Sequence, residues 1–178
     1  MGKRSAFPRR KNDAYLTWDK RAVPPLLPYI GGPHNRFAEP CAGAGHLVDQ
    51  LEAAGHVCVQ AFDIAPQRFD IEVGDVLETY GFLPPGADRW ITNPPWTRPI
   101  LHAIIECLAQ RAETWLLFDS DWAFTKQATP YLERFCHRIV PIGRLRWEEG
   151  TTDDAKDNCA WYHFGPGAPG RPVLEPRY

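Results

Sequence analysis

Residues 36–62 limit what this chain can fold into more than any other stretch. Residues 36–41 form an apolar run that reads as a strand and ends in Glu39-Pro40-Cys41-Ala42-Gly43-Ala44-Gly45. Residues 46–54 follow with Leu47, Val48 and Leu51 on one helical face, and Gly55 terminates the helix. A second strand, 56–62, comes next and closes on Asp63-Ile64. Strand, glycine turn and helix in succession let a backbone approach a nucleotide-like ligand closely, because glycine has no Cβ in the way. The turn lacks the third glycine of the dinucleotide pattern, and Glu39 stands ahead of its glycines. An acid in that place disfavours a phosphate and suits a cation.

The next strand ends repeat the pattern. Asp63 can accept two hydrogen bonds from ribose hydroxyls, and Ile64 beside it can cover the face of an adenine. Val73-Gly74-Asp75-Val76-Leu77 reads as a third strand end, with an acid able to accept from an exocyclic amine. Taken singly, each acid reads better as a helix cap or turn residue. Three at successive strand ends beside a glycine turn argue for a ligand.

The fourth apolar run, 89–92, leads into Asn93-Pro94-Pro95-Trp96, with a helix expected over 100–111. Two successive prolines remove two backbone N–H groups, leaving an edge of carbonyl oxygens without main-chain donors. With the Asn93 side-chain oxygen, this edge suits a group with two hydrogens to give, such as an –NH2 on a planar ring or an amide. Trp96 offers a flat face for stacking. An ordinary proline-rich turn is the plainer alternative.

Elsewhere the reading is structural. A short helix is expected over 24–30, with 15–19 as a loop over the core. Strands are expected at 114–120, 137–142 and 159–164, and a helix at 126–134. Residues 144–147 could extend the strand beyond a break at Gly143. Residues 165–178, rich in Pro and Gly, read as a loosely attached tail. Hydrophobic residues make up 44% and charged residues 24%, an ordinary soluble composition for one domain spanning 1–178. No apolar run is long enough for a membrane, and five scattered cysteines without a C-x-x-C pair fit neither a zinc site nor a disulfide framework, so a reducing cytoplasm is expected. The six histidines show no metal spacing. Net charge is −2, which excludes a globally basic nucleic-acid binder, yet residues 1–11 carry five basic side chains and no acid. That arm could follow a phosphate backbone or simply be solvated.

In this order and separation the motifs resemble the class I S-adenosylmethionine-dependent methyltransferases, specifically the group that methylates amino groups of nucleic acids. The resemblance spans about residues 15–164. It implies an α/β Rossmann-like fold, a mostly parallel sheet with an antiparallel last strand and helices on both faces. It implies S-adenosyl-L-methionine as cofactor and no metal. Glu39, Pro40, Ala42, Gly43 and Gly45 would form the cofactor's glycine loop. Asp63 and Ile64 would meet its ribose and adenine, and Asp75 and Val76 its adenine. Tyr15-Leu16-Thr17-Trp18 is similar to the segment closing over the methionine end, with Tyr15 and Thr17 in contact. Asn93, Pro94, Pro95 and Trp96 would be catalytic, Asn93 also touching the cofactor. The small size and the Lys156-Asp157-Asn158-Cys159-Ala160-Trp161-Tyr162 ending look most like compact phage or prophage adenine methyltransferases.

The leading expectation is therefore methylation of adenine N6 in DNA, on a flipped or unpaired base. RNA adenine, cytosine N4 and a glutamine side-chain amide present the same –NH2 group and remain open. A non-catalytic, methyltransferase-like subunit is the alternative of another class, disfavoured because the tetrapeptide and the glycines are both intact. No separate target-recognition domain fits within these residues. Low sequence specificity, help from a partner, or recognition by loops 80–88, 97–99, 119–126 and 148–158 is expected instead.

Overall fold

A computed structural model describes residues 15–147, 150–152 and 154–177. The basic arm expected at 1–11 lies outside the described residues. Eight strands form one sheet: β1 (Arg36–Glu39), β2 (Val57–Asp63), β3 (Glu72–Val73), β4 (Arg89–Thr92), β5 (Thr114–Asp119), β6 (Cys136–Arg144), β7 (Asn158–Phe164) and β8 (Val173–Leu174). Their order is β3-β2-β1-β4-β5-β7-β6-β8. Only β7 runs antiparallel to its neighbours, β5 and β6. The other pairings are parallel.

The two-residue alternation of each strand feeds two cores. Trp90, Leu116, Phe118, Ala160 and Tyr162 face one side, where Leu101, Ile104, Ile105 and Leu108 of α2 (Arg98–Ala109) pack on them. Ile91, Trp115, Leu117 and Trp161 face the other, against Leu47, Val48 and Leu51 of α1 (His46–Ala53) and Ala22, Val23 and Leu26. The short α3 (Thr129–Phe135) adds Phe135 to the first core. Full burial of each large side chain contributes on the order of 1.5–3 kcal/mol, so both faces are firmly covered and ligand chemistry is left to the ends of the strands.

Three expectations need correction. Residues 24–30 do not form a helix; they lie between and within two single 3-10 turns, Lys20–Ala22 and Leu27–Tyr29. Pro24, Pro25 and Pro28 remove three N–H donors, so no α ladder can build. β6 does not break at Gly143 but continues to Arg144, absorbing an irregularity between Pro141 and Gly143, and 145–147 leave the sheet. The tail is attached: Val173–Leu174 pairs with Arg138 and Ile139, Glu175 N donates to Ile139 O, and Arg138 pairs with Glu175. The remaining elements depart from expectation only at their ends.

Candidate active site

The glycine turn is built by its neighbours. Glu39 closes β1, and Gly45, at φ 77°, is the residue from which α1 starts. That left-handed geometry suits glycine. Asp63, at the end of β2, accepts from Gly43 N through Oδ2 (2.9 Å) and from Ala65 N through Oδ1 (2.8 Å). It thus ties the turn to the adjacent strand, and its carboxylate keeps lone pairs for a further donor. Asp75 accepts from Leu77 N at 2.9 Å and caps the turn Val76–Thr79, the plainer of its two expected roles. Val76 turns its side chain into the first core, and Ile64 stands more than half exposed.

Glu39 is the outlier. Its side chain is 2% exposed, and Oε2 has no hydrogen-bond partner. Burial pushes its carboxyl well above the usual range and the Asp63 charge adds to the effect, opposed by the Val48 backbone N–H and by Arg68. Burial also pushes up the Cys41 thiol alongside. A buried acid with an idle oxygen costs stability.

Asn93 follows β4, the neighbour of β1. Its Nδ2 donates to Tyr15 O (2.8 Å) and Thr17 Oγ1 (3.0 Å), and its Oδ1 accepts from Trp96 Nε1 (3.1 Å). The amide therefore pins segment 15–17 across the sheet edge. One lone pair of Oδ1 is in use and one is left. Among the described residues no backbone N–H is found on the Pro94 carbonyl. Trp96 is not an open platform: Trp147 meets it at 5.4 Å and 89°, and Tyr15 at 6.5 Å and 36°.

Tyr15, Thr17, Glu39, Ala42 and Asn93 line one narrow cleft, together with Leu16, Cys41, His46 and Leu47. Pro40, Gly43, Gly45, Asp63, Ile64, Asp75, Val76, Pro94, Pro95 and Trp96 do not line it; Gly43 is tied to Asp63, and Trp96 to Asn93, by the hydrogen bonds above. By sequence His46 reads only as a surface or packing histidine at the start of the helix; its place directly after the glycines is the signal that could have found it. Trp147 carried no sequence signal, since it joins Trp96 only through the fold.

The loops sort by sheet edge. Loop 97–99 leads into α2, and residues 119–126 follow the end of β5. There Asp119 caps Asp121 N and pairs with Arg98 at 2.7 Å. Trp122 is fully buried and donates to His102, a packing role. Of the expected loop 148–158, the described residues 154–157 lead into β7, whose start pairs with the end of β5 on this edge. Loop 80–88 does not: Asp88 accepts from Arg36 N and Gly86 O from Arg36 Nε, at the start of β1. It lies at the opposite edge and is withdrawn as a recognition loop.

Neither a protein-family model nor a curated protein matches this sequence. Solved structures do. The M protein of the type I restriction enzyme EcoKI superposes with a TM-score of 0.55 at 14% identity, covering 89% of this chain and 46% of its own. This chain thus spans under half of that protein. A putative RNA methyltransferase from Pyrococcus horikoshii gives a TM-score of 0.48 at 16% identity, covering 85% of this chain and 82% of that one. With the strand order and the antiparallel β7, the superposition on the EcoKI M protein decides the fold. It is the class I methyltransferase fold. In that fold the Glu39 turn and the Asn93 end of β4 are adjacent strand ends, which is where open α/β sheets bind ligands. Among the described residues no group of three or more His, Cys, Asp or Glu could hold a metal, and no helix is long and apolar enough to cross a membrane.

Proposed function

We propose that this chain is an S-adenosyl-L-methionine-dependent methyltransferase acting on an exocyclic amino group, N6 of adenine in DNA. One observation carries the reading: Asn93 and the buried Glu39 line the same cleft from neighbouring strand ends. The residues fit this cofactor. An idle, buried carboxylate oxygen suits a ligand with an ammonium and a sulfonium, and would be a poor choice against a phosphate. Tyr15, Thr17, Glu39, Pro40, Ala42, Gly43 and Gly45 would hold it around the turn. Asp63 and Ile64 would hold its ribose and adenine. Asp75 and the backbone of Val76 would meet its adenine amine. When bound, the cofactor supplies an electrophilic methyl group.

The chain's own residues do the positioning. The free lone pair of Asn93 Oδ1 and the Pro94 carbonyl accept the two amine hydrogens, which draws the nitrogen toward a pyramidal geometry facing the cleft. Pro95 keeps a second donor away from that edge. Trp96, held by Tyr15 and Trp147, would border the base rather than serve as an open stacking face, so the few kcal/mol that unstacking a target costs would be met mainly by the two amine hydrogen bonds. Catalysis would rest on orientation and fixed dipoles rather than on a strong base. With no recognition domain in these residues, sequence choice would fall to loops 97–99, 119–126 and 148–158 or to a partner.

The test incubates the protein with cofactor and, separately, unmethylated DNA or RNA, followed by nucleoside mass spectrometry, with Asn93→Ala as control. N6-methyladenine in DNA, absent with the variant, supports the proposal. N4-methylcytosine or modified RNA keeps the mechanism and replaces the substrate. Cofactor binding without any methylated nucleoside refutes it.

A further inference from the structure

A second cleft opens where β6 ends, lined by Arg21, Pro24, Pro25, Ile142, Arg144, Leu145 and Arg177. Among the described residues its charges do not cancel. Asp19 and Asp154 answer Arg21 at 2.6 Å each, and the same two acids receive Arg146 through its backbone N–H (2.9 Å) and its Nε (3.4 Å). Two carboxylates thus serve Arg21 and Arg146. Among the described residues no carboxylate pairs with Arg144 or Arg177, in a chain whose net charge is −2.

Arg177 is delivered there by construction. The tail is fastened by β8 and by the Arg138–Glu175 pair, and Arg177 Nε donates to Ile142 O at 3.2 Å. Its guanidinium covers Gly143, where an added Cβ would meet Nη2 at 2.6 Å. Gly143 also has φ 101°, so both backbone and seat call for glycine. Arg144 follows it directly at the end of the strand.

The cleft shares an edge with the active site. Gly143 pairs with Cys159, which pairs with Asp119 at the end of β5, beside the β4 end that carries Asn93. Three inter-strand spacings separate β4 from β6, about 14 Å. At about 3.4 Å of rise per phosphate along one strand, that reach corresponds to about four nucleotides. Segment 15–25 bridges the distance, with Tyr15 and Thr17 on Asn93 and Pro24 and Pro25 in the second cleft.

We propose that Arg144 and Arg177 clamp the nucleic-acid backbone about four nucleotides from the target base, fixing the register in which the base enters the active site. This rests on the nucleic-acid reading above. Guanidinium forks match phosphate oxygens, and the neutralised Arg21 forms only the rim.

The test is fluorescence anisotropy of a labelled duplex from 50 to 300 mM salt, with the wild type, an Arg144→Ala/Arg177→Ala double variant and an Arg144→Lys/Arg177→Lys double variant. The alanine pair should lower the slope of log affinity against log salt by about 1.8, since each phosphate contact contributes about 0.9. The lysine pair should keep the slope, and cofactor affinity should not change in either. Gly143→Ala, which unseats Arg177, should remove about half the effect. A wild type that binds the duplex while the alanine pair keeps its slope overturns the clamp and leaves the proposed function standing. A wild type with no salt-dependent affinity for nucleic acid overturns both.

Discussion

Glu39→Gln should stabilise the unliganded protein, by an amount that grows with pH. Glu39 is buried with an unpartnered oxygen, and burial raises its carboxyl well above 4.5, the Asp63 charge adding to this. The native state then holds a proton that the unfolded chain has released. Stability from this group is complete below pH 4.5 and is lost as pH rises toward the folded-state value, at about 1.4 kcal/mol per pH unit. Glutamine keeps the shape and has no proton to lose. Relative to its acid limit, the gap between variant and wild type should reach about 1.4 kcal/mol by pH 5.5 and continue to widen. In Tm this is about 3–6 °C for a chain of this size. Urea denaturation of both proteins from pH 4 to 7.5 measures it, and taking the difference cancels every other titrating group. The stabilised variant should also bind S-adenosylmethionine about 10–150-fold more weakly, the value of a charge-assisted hydrogen bond of 1.5–3 kcal/mol. A gap that does not vary with pH, or a variant less stable at pH 7, would mean that Glu39 is ionised in the empty protein and refute the argument.

Asn93→Ala removes three hydrogen bonds at about 1 kcal/mol each. It should cost about 2–3 kcal/mol in denaturation, and Thr17→Val about 1 kcal/mol. A double-mutant cycle between the two should show coupling of about 1 kcal/mol, and additivity would show that the strap contact is absent. His163 stacks on Trp115 at 4.5 Å, and burial lowers its pKa to about 4, with His137 adding to the effect. Glu113, 3.7 Å away, is committed to Arg89 and Trp115 Nε1 and does not hold the proton. Below pH 6.5 the unfolded chain takes up a proton that the native one refuses. Stability is therefore full above 6.5 and falls by roughly 3 kcal/mol toward pH 4, a slope that His163→Gln should flatten in acid denaturation. Trp161→Phe deletes the 2.8 Å bond to Ala22 O and leaves a buried carbonyl idle. Equilibrium unfolding should register a loss of about 2–3 kcal/mol.

Much of this protein was legible one residue after another. The largely unbroken apolar runs at 89–92, 114–119 and 159–164 show two-sided burial, and Gly43 and Gly45 mark a turn between strand and helix, because the composition of a run and glycine's freedom are local properties. The same locality placed Glu39, Asp63, Asp75 and Asn93 at strand ends. Local rules also produced the errors. Pro24 and Pro25 read as the first turn of a helix, but together with Pro28 they remove the donors a helix needs. A tail rich in Pro and Gly read as loose because its two-residue strand exists only through pairing with β6.

Tertiary structure alone decided what those strand ends do to one another. No local pattern states that the Glu39 oxygen is left without a donor, that Asn93 spends its amide on Tyr15 and Thr17, or that Trp147 braces Trp96. Nor does any local pattern send loop 80–88 to the opposite edge, or seat Arg177 over Gly143 beside Arg144. Burial, partner count and field depend on what surrounds a group in three dimensions. Sequence determines which chemistry is available at each strand end, and the packed sheet determines which of those groups stay idle for a ligand.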